Sequence, residues 1–157
     1  MTLKEIVEKL TMLKMTISAM ESCTGGGFSN ALTNIEGASE VLKFSAVTYS
    51  NEYKIIFGIS KDIIDKYSVY SFEVADEMSL NISKFTGSNI GVGITGKLNR
   101  VDVNNPYGDD NIVYISVYDV ANNKFYHEKV NVTKRSRALN KDLVIEYVVE
   151  ILNEILK

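Results

Sequence analysis

Apolar and polar positions follow two periods along this chain, and the two take turns from segment to segment. Thr2-Leu-Lys-Glu5 has capping-box spacing, a hydroxyl and a carboxylate each placed to satisfy a free N–H. Ile6, Leu10 and Leu13 then share one face, which predicts a helix over about 2–14. From Met15 the period drops to two. Ile17 and Ala19 alternate with Thr16 and Ser18, predicting a strand over 15–21. Helical spacing returns near 24–34, and the β-branched and aromatic run from Phe44 to Ser50 predicts a second strand. Ser60 and Ser71 stand as N-caps of a short helix to about Lys66 and a longer one to about Phe85. Asn89 to Thr95 reads as a third strand whose glycines imply close backbone approach. Strands over 111–118 and 124–132 flank a hairpin at Ala121-Asn122-Asn123. A last helix runs from about Ser136 to Leu156, with Leu143, Tyr147, Ile151 and Leu152 at core spacing. One long loop, 96–110, holds the sole proline, Pro106. Such alternation without a linker predicts one domain, 1–157, with an α/β fold: a three-layer α/β/α sandwich around a mixed, mostly parallel sheet.

Composition narrows the function classes. With 17 Lys+Arg against 20 Asp+Glu the net charge is -3, which argues against a general nucleic-acid binder while leaving room for a local basic pocket. One cysteine excludes an internal disulfide and a multi-cysteine metal site. No apolar run approaches the roughly 20 residues of a membrane-spanning helix. Lys4, Glu5, Glu8 and Lys9 interrupt the amino terminus where a signal peptide would be apolar, so a cytoplasmic location is expected.

The densest chemistry lies where the first strand runs into Glu21-Ser22-Cys23-Thr24-Gly25-Gly26-Gly27. A helix beginning at such a junction exposes unpaired N–H groups and the positive end of its dipole, so an anion or a developing oxyanion is stabilised there. Ser22 is read as a nucleophile or as a helix cap, and Cys23 as a thiol activated by the dipole or as a small core residue. A serine nucleophile needs a base. The single histidine, His127, sits in the charged segment Lys124-Phe-Tyr-His-Glu-Lys and reads as a surface residue. Lys54 can serve instead if burial keeps it neutral; otherwise it is a solvated lysine.

Taken together, Glu21-Ser-Cys-Thr-Gly-Gly26, Thr33-Asn-Ile-Glu-Gly-Ala-Ser39, Val47-Thr-Tyr-Ser-Asn-Glu-Tyr-Lys54, Gly58-Ile-Ser60, Ser71-Phe-Glu-Val-Ala-Asp-Glu-Met78 and Gly91-Val-Gly-Ile-Thr-Gly96 resemble, in order, the carboxy-terminal domain of the CinA family. Competence- and damage-inducible proteins and nicotinamide-nucleotide amidases share that domain. The resemblance implies hydrolysis of the carboxamide of nicotinamide mononucleotide to nicotinate mononucleotide and ammonia, in NAD salvage, without metal or organic cofactor. It also implies the roles: Ser22 as nucleophile, Lys54 as its base, Tyr49 as a positioning or relaying hydroxyl. Thr24, Gly25, Gly26, Asn51 and Thr95 would line the pocket, and Glu21 would order the turn. Related domains are often dimeric, so a homodimer is expected.

Two segments depart from the family pattern. After Gly-Ile-Thr-Gly the family's glycine-rich continuation is replaced by Lys97-Leu-Asn-Arg100-Val-Asp-Val-Asn-Asn-Pro106, and its Gly-Asp-Arg before the last helix by Val132-Thr-Lys-Arg135-Ser-Arg137. Lys97, Arg100 and one of Arg135 or Arg137 could replace the missing loop as a phosphate clamp. The competing reading is a paralogue that binds a nucleotide or a protein partner without turnover.

Overall fold

The computed structural model describes residues 1–133 and 136–157. The chain runs α1 (Leu3–Leu13), β1 (Ile17–Glu21), α2 (Gly27–Thr33), β2 (Leu42–Val47), α3 (Asn51–Ile56), α4 (Lys61–Tyr67), α5 (Phe72–Thr86), β3 (Ile90–Gly96), β4 (Ile112–Asp119), β5 (Lys124–Asn131) and α6 (Arg137–Ile155), with a 3-10 turn at Ala38–Glu40 before β2. The α1 capping box forms as its spacing predicts, Thr2 accepting from the Glu5 amide while the Glu5 carboxylate accepts from the Thr2 amide. Ser71 and Ser136 cap α5 and α6 through their hydroxyls. Ser60 precedes α4 without a side-chain cap; its amide donates to Glu77 instead.

The sheet has the order β2-β1-β3-β4-β5. β1 pairs in parallel with β2 and β3, while β4 is antiparallel to β3 and β5 to β4, so the α/β sheet is mixed. α1, α2 and α6 pack on one face around Ile17, Ala19, Ile90, Val92 and Ile94. α4 and α5 cover the other through Met20, Val74, Met78 and Ile82. β1 is therefore buried on both faces. The polar half of its alternation points not to water but to α5, where the Ser18 hydroxyl bonds the Ile82 carbonyl and the Thr86 hydroxyl.

The glycines of β3 serve that same contact. A Cβ at Gly91 would stand 2.0 Å from the Ser79 carbonyl oxygen, and one at Gly93 2.4 Å from that of Ala75. Close approach here is helix to strand. Gly91→Ala is expected to destabilise the domain by about 3 kcal/mol, since α5 has to move off the sheet; a loss under about 1 kcal/mol in urea denaturation would contradict that packing.

Several boundaries differ from the periodicity reading. The second strand covers 42–47 rather than 44–50, because Ser50 caps a helix, α3, hidden within what reads as the strand's end. The fully buried stripe of α6 is Val144, Val148, Ile151 and Leu152, with Leu143 and Tyr147 only half-buried beside it. Helix α2 begins at Gly27, leaving the tight turn Ser22–Gly26 between strand and helix, with Gly25 at φ 60° and Gly26 at φ 94°.

Candidate active site

In an open sheet of this order, chain connections leave β1 toward opposite sides, and the crevice outside the carboxyl ends of β1 and β3 is where ligands bind. Ser22 follows β1, Tyr49 and Asn51 follow β2, and Lys97 follows β3, so all three strand ends deliver side chains to one edge. A cavity of about 670 Å3 opens there, lined among others by Ser22, Tyr49, Asn51, Lys97, Arg100 and Arg137. That volume is typical of a small-molecule site.

Behind Ser22 lies Lys54, brought there by the first turn of α3. Its Nζ donates to Ser22 Oγ at 2.9 Å and to the Thr48 carbonyl oxygen at 2.7 Å. Lys54 is only 2% exposed. Burial, which disfavours the ammonium form, pushes its amine down to about 8, against smaller opposing effects from Cys23 and Asp102. Cys23 sits between core and cavity, and burial pushes its thiol up to about 12, so the dipole-activated thiol considered from sequence gives way to a protonated core residue. Ser22 and Lys54 are thus a hydroxyl and an amine that share a hydrogen bond.

Glu21 explains why the turn holds its shape. Fully buried, its carboxylate accepts from Thr24 Oγ1 at 2.6 Å, Phe28 N at 2.9 Å, Ser29 N at 3.1 Å and Ser29 Oγ at 2.7 Å. The start of α2 is consequently spent on Glu21 and is not open to a ligand. The N–H groups of this turn that make no backbone hydrogen bond among the described residues are those of Cys23, Thr24 and Gly26.

Four residues expected in the pocket stand behind its wall. Thr24 turns its hydroxyl to Glu21, Gly25 and Gly26 supply the left-handed turn, and Thr95 donates to the Val69 carbonyl at 2.7 Å. Of the four basic candidates, Lys97, Arg100 and Arg137 reach the cavity, and Arg135 lies outside the described residues. Lys97 is buried, 3.2 Å from Asp110 and 5.0 Å from the centre of the Tyr70 ring. Tyr49 is 64% exposed on the rim. His127 is a surface residue hydrogen-bonded to Asp76 at 2.5 Å and stacked on Phe72, and it has no part in the cavity.

Among the cavity residues that sequence reasoning missed are Tyr70, Asp102 and Asn105. The loop after β3 folds back over the site, with the Tyr70 hydroxyl donating to Asp102, and Asn105 bonding both Asp102 at 3.1 Å and Asn51 at 2.9 Å. Nothing local in the run Arg100 to Pro106 announces that these residues meet Tyr70 and Asn51. Among the described residues no group of three or more His, Cys, Asp or Glu is placed to hold a metal ion, and no helix is long and apolar enough to cross a membrane.

Residues 2–156 match the CinA C-terminal domain. The chain belongs to that family. A CinA-like protein of Flavobacterium psychrophilum is 36% identical over 150 residues, 93% of this chain and 36% of that protein. A putative competence-damage inducible protein of Clostridium perfringens is 45% identical over 97 residues, 60% of this chain and 24% of its own length. This CinA domain thus spans about a third or less of these curated relatives. In fold it is similar to the competence/damage inducible protein CihA from Agrobacterium tumefaciens, with TM-score 0.84 and 22% identity, covering 99% of this chain and 96% of that one. A competence or damage-inducible protein from Enterobacter asburiae has TM-score 0.84 and 23% identity, covering 100% and 99%. The CinA fold is therefore shared across its whole length.

Proposed function

We propose that the domain is a serine–lysine amidase acting on the carboxamide of nicotinamide mononucleotide. The observation that carries this reading is the 2.9 Å contact between Ser22 Oγ and a lysine sealed from water. In its neutral form Lys54 takes the Ser22 proton as Oγ attacks the carboxamide carbon. The oxyanion formed is met by the amides of Cys23 and Thr24, a kind of contact worth about 3 kcal/mol per donor. Lys54 then returns the proton to the departing nitrogen, ammonia leaves, and an ester on Ser22 remains. Water attacks that ester with Lys54 again as base, releasing the carboxylate. Tyr49 closes the rim, and Arg100 and Arg137, which have no carboxylate within 4.0 Å among the described residues, face the phosphate together with Lys97.

The test is ammonia release over nicotinamide mononucleotide, nicotinamide riboside, nicotinamide and NAD. Turnover of the mononucleotide at least about 10-fold above the riboside is expected, the worth of a charge-assisted phosphate contact. The tether of the loop to Asn51 and Tyr70 favours a second reading, binding without turnover. Mononucleotide affinity with no ammonia from any substrate would select it.

A further inference from the structure

The cavity carries charge of both signs, on different parts of its wall. Arg100 and Arg137 are exposed cations, whereas Asp102 offers a half-buried carboxylate beside Tyr70. Asp102 accepts from Tyr70 Oη, from Asn105 Nδ2 at 3.1 Å and from Asn104 N at 3.0 Å, and no cation lies within 4.0 Å of it among the described residues. Burial raises its carboxyl, but those hydrogen bonds outweigh burial and hold it below the usual carboxylate range, so it is ionised at neutral pH. Two tyrosine rings, Tyr49 and Tyr70, flank the same space, and the Tyr70 ring already faces one cation, Lys97 Nζ at 5.0 Å. A carboxylate whose charge is felt by the Lys54 amine but which has no ion pair within 4.0 Å among the described residues, beside electron-rich rings, is an arrangement that attracts a flat cation.

We infer that Asp102, with Tyr49, selects the cationic ring of the substrate, so that the site prefers a positively charged heteroaromatic carboxamide over its neutral dihydro counterpart. This rests on the amidase reading for the identity of the carboxamide, but not for the charge selection. With the ring's positive charge at Asp102 and an anionic group at Arg100 and Arg137, the ligand's two charges match the two signs of the wall. Asp102 lies in the loop after β3, which folds back over the cavity through its contacts to Tyr70 and Asn51.

The experiment is calorimetric titration of the Ser22→Ala chain, which cannot turn substrate over, with nicotinamide mononucleotide and with its 1,4-dihydro form. The two share phosphate, ribose and carboxamide and differ in ring charge. The oxidised form is expected to bind ~10- to 100-fold more tightly, and Asp102→Asn to erase that preference by weakening the oxidised form alone. Tyr70→Phe, which loosens the loop but keeps the carboxylate, should preserve the preference. Equal affinity for the two forms, binding of neither, or an Asp102→Asn loss shared equally by both would overturn the inference. Ammonia release by the unmutated chain is scored separately. Its absence beside an intact charge preference removes the amidase reading and leaves the selection standing.

Discussion

Lys54→Met is expected to abolish ammonia release and yet make the domain more stable at pH 7. A fall of the Lys54 amine from 10.5 to about 8 means that the folded state holds a disfavoured ammonium at neutral pH, at a cost of about 3 kcal/mol. Methionine removes that cost but also the bonds to Ser22 Oγ and the Thr48 carbonyl, about 1–2 kcal/mol, leaving a net gain of about 1–2 kcal/mol. The sign follows from the depressed pKa of a base. Between pH 8 and 10.5 the unfolded chain retains a proton that the folded chain has released, so wild-type stability rises with pH across that window, relative to the variant. The variant should lead at pH 7 and trail at pH 10.5, as read by urea denaturation at both. A difference independent of pH would mean that Lys54 is not a desolvated amine. Activity carries the companion signature. Turnover should climb with pH through about 8 as Lys54 loses its proton, and both Lys54→Arg, always charged, and Ser22→Ala should fall by at least ~1,000-fold. A site that sacrifices stability to lower the pKa of a lysine is the expected trade between stability and chemistry.

Glu21→Ala should be the most damaging substitution near the site. It strands two backbone amides and a threonine hydroxyl inside the protein, each costing about 1–3 kcal/mol, so a loss of at least about 3 kcal/mol is expected in urea denaturation. Ser22 would lose its position with the turn, so activity should fall even in the fraction that folds. Glu21→Gln, which keeps one acceptor oxygen but turns an amide NH2 toward donors, should cost about half as much. A loss below about 1 kcal/mol for the alanine variant would show that water replaces the carboxylate, and that the turn is not built on Glu21.

The features legible in the chain are local or repeat with a period. The capping box at Thr2, the N-caps at Ser71 and Ser136, the two-residue period of β1 and the hairpin after Asp119 depend on neighbours within a few positions, so their residues can be read without coordinates. Ser22 and Lys54 were legible as candidates through the resemblance, which encodes a spacing across two elements. What the tertiary structure decided depends on residues far apart in the chain. Burial of Lys54 arises because six-residue α3 folds its amine under the turn after β1, and no periodicity in so short a helix reveals this. The destination of Glu21 was hidden for the same reason. Its partners, Phe28 and Ser29, lie seven and eight residues on, beyond capping-box spacing, because a left-handed turn intervenes. Ser18 reads as the polar half of a strand's alternation and Gly91 as a place of close backbone approach, and the fold supplies what each meets: both let α5 rest against the sheet. The loop after β3 is read from sequence as bare positive charge. Only the fold brings Asp102 against Tyr70 and Asn105 against Asn51, because hydrogen bonds between residues 32 and 54 positions apart leave no local trace.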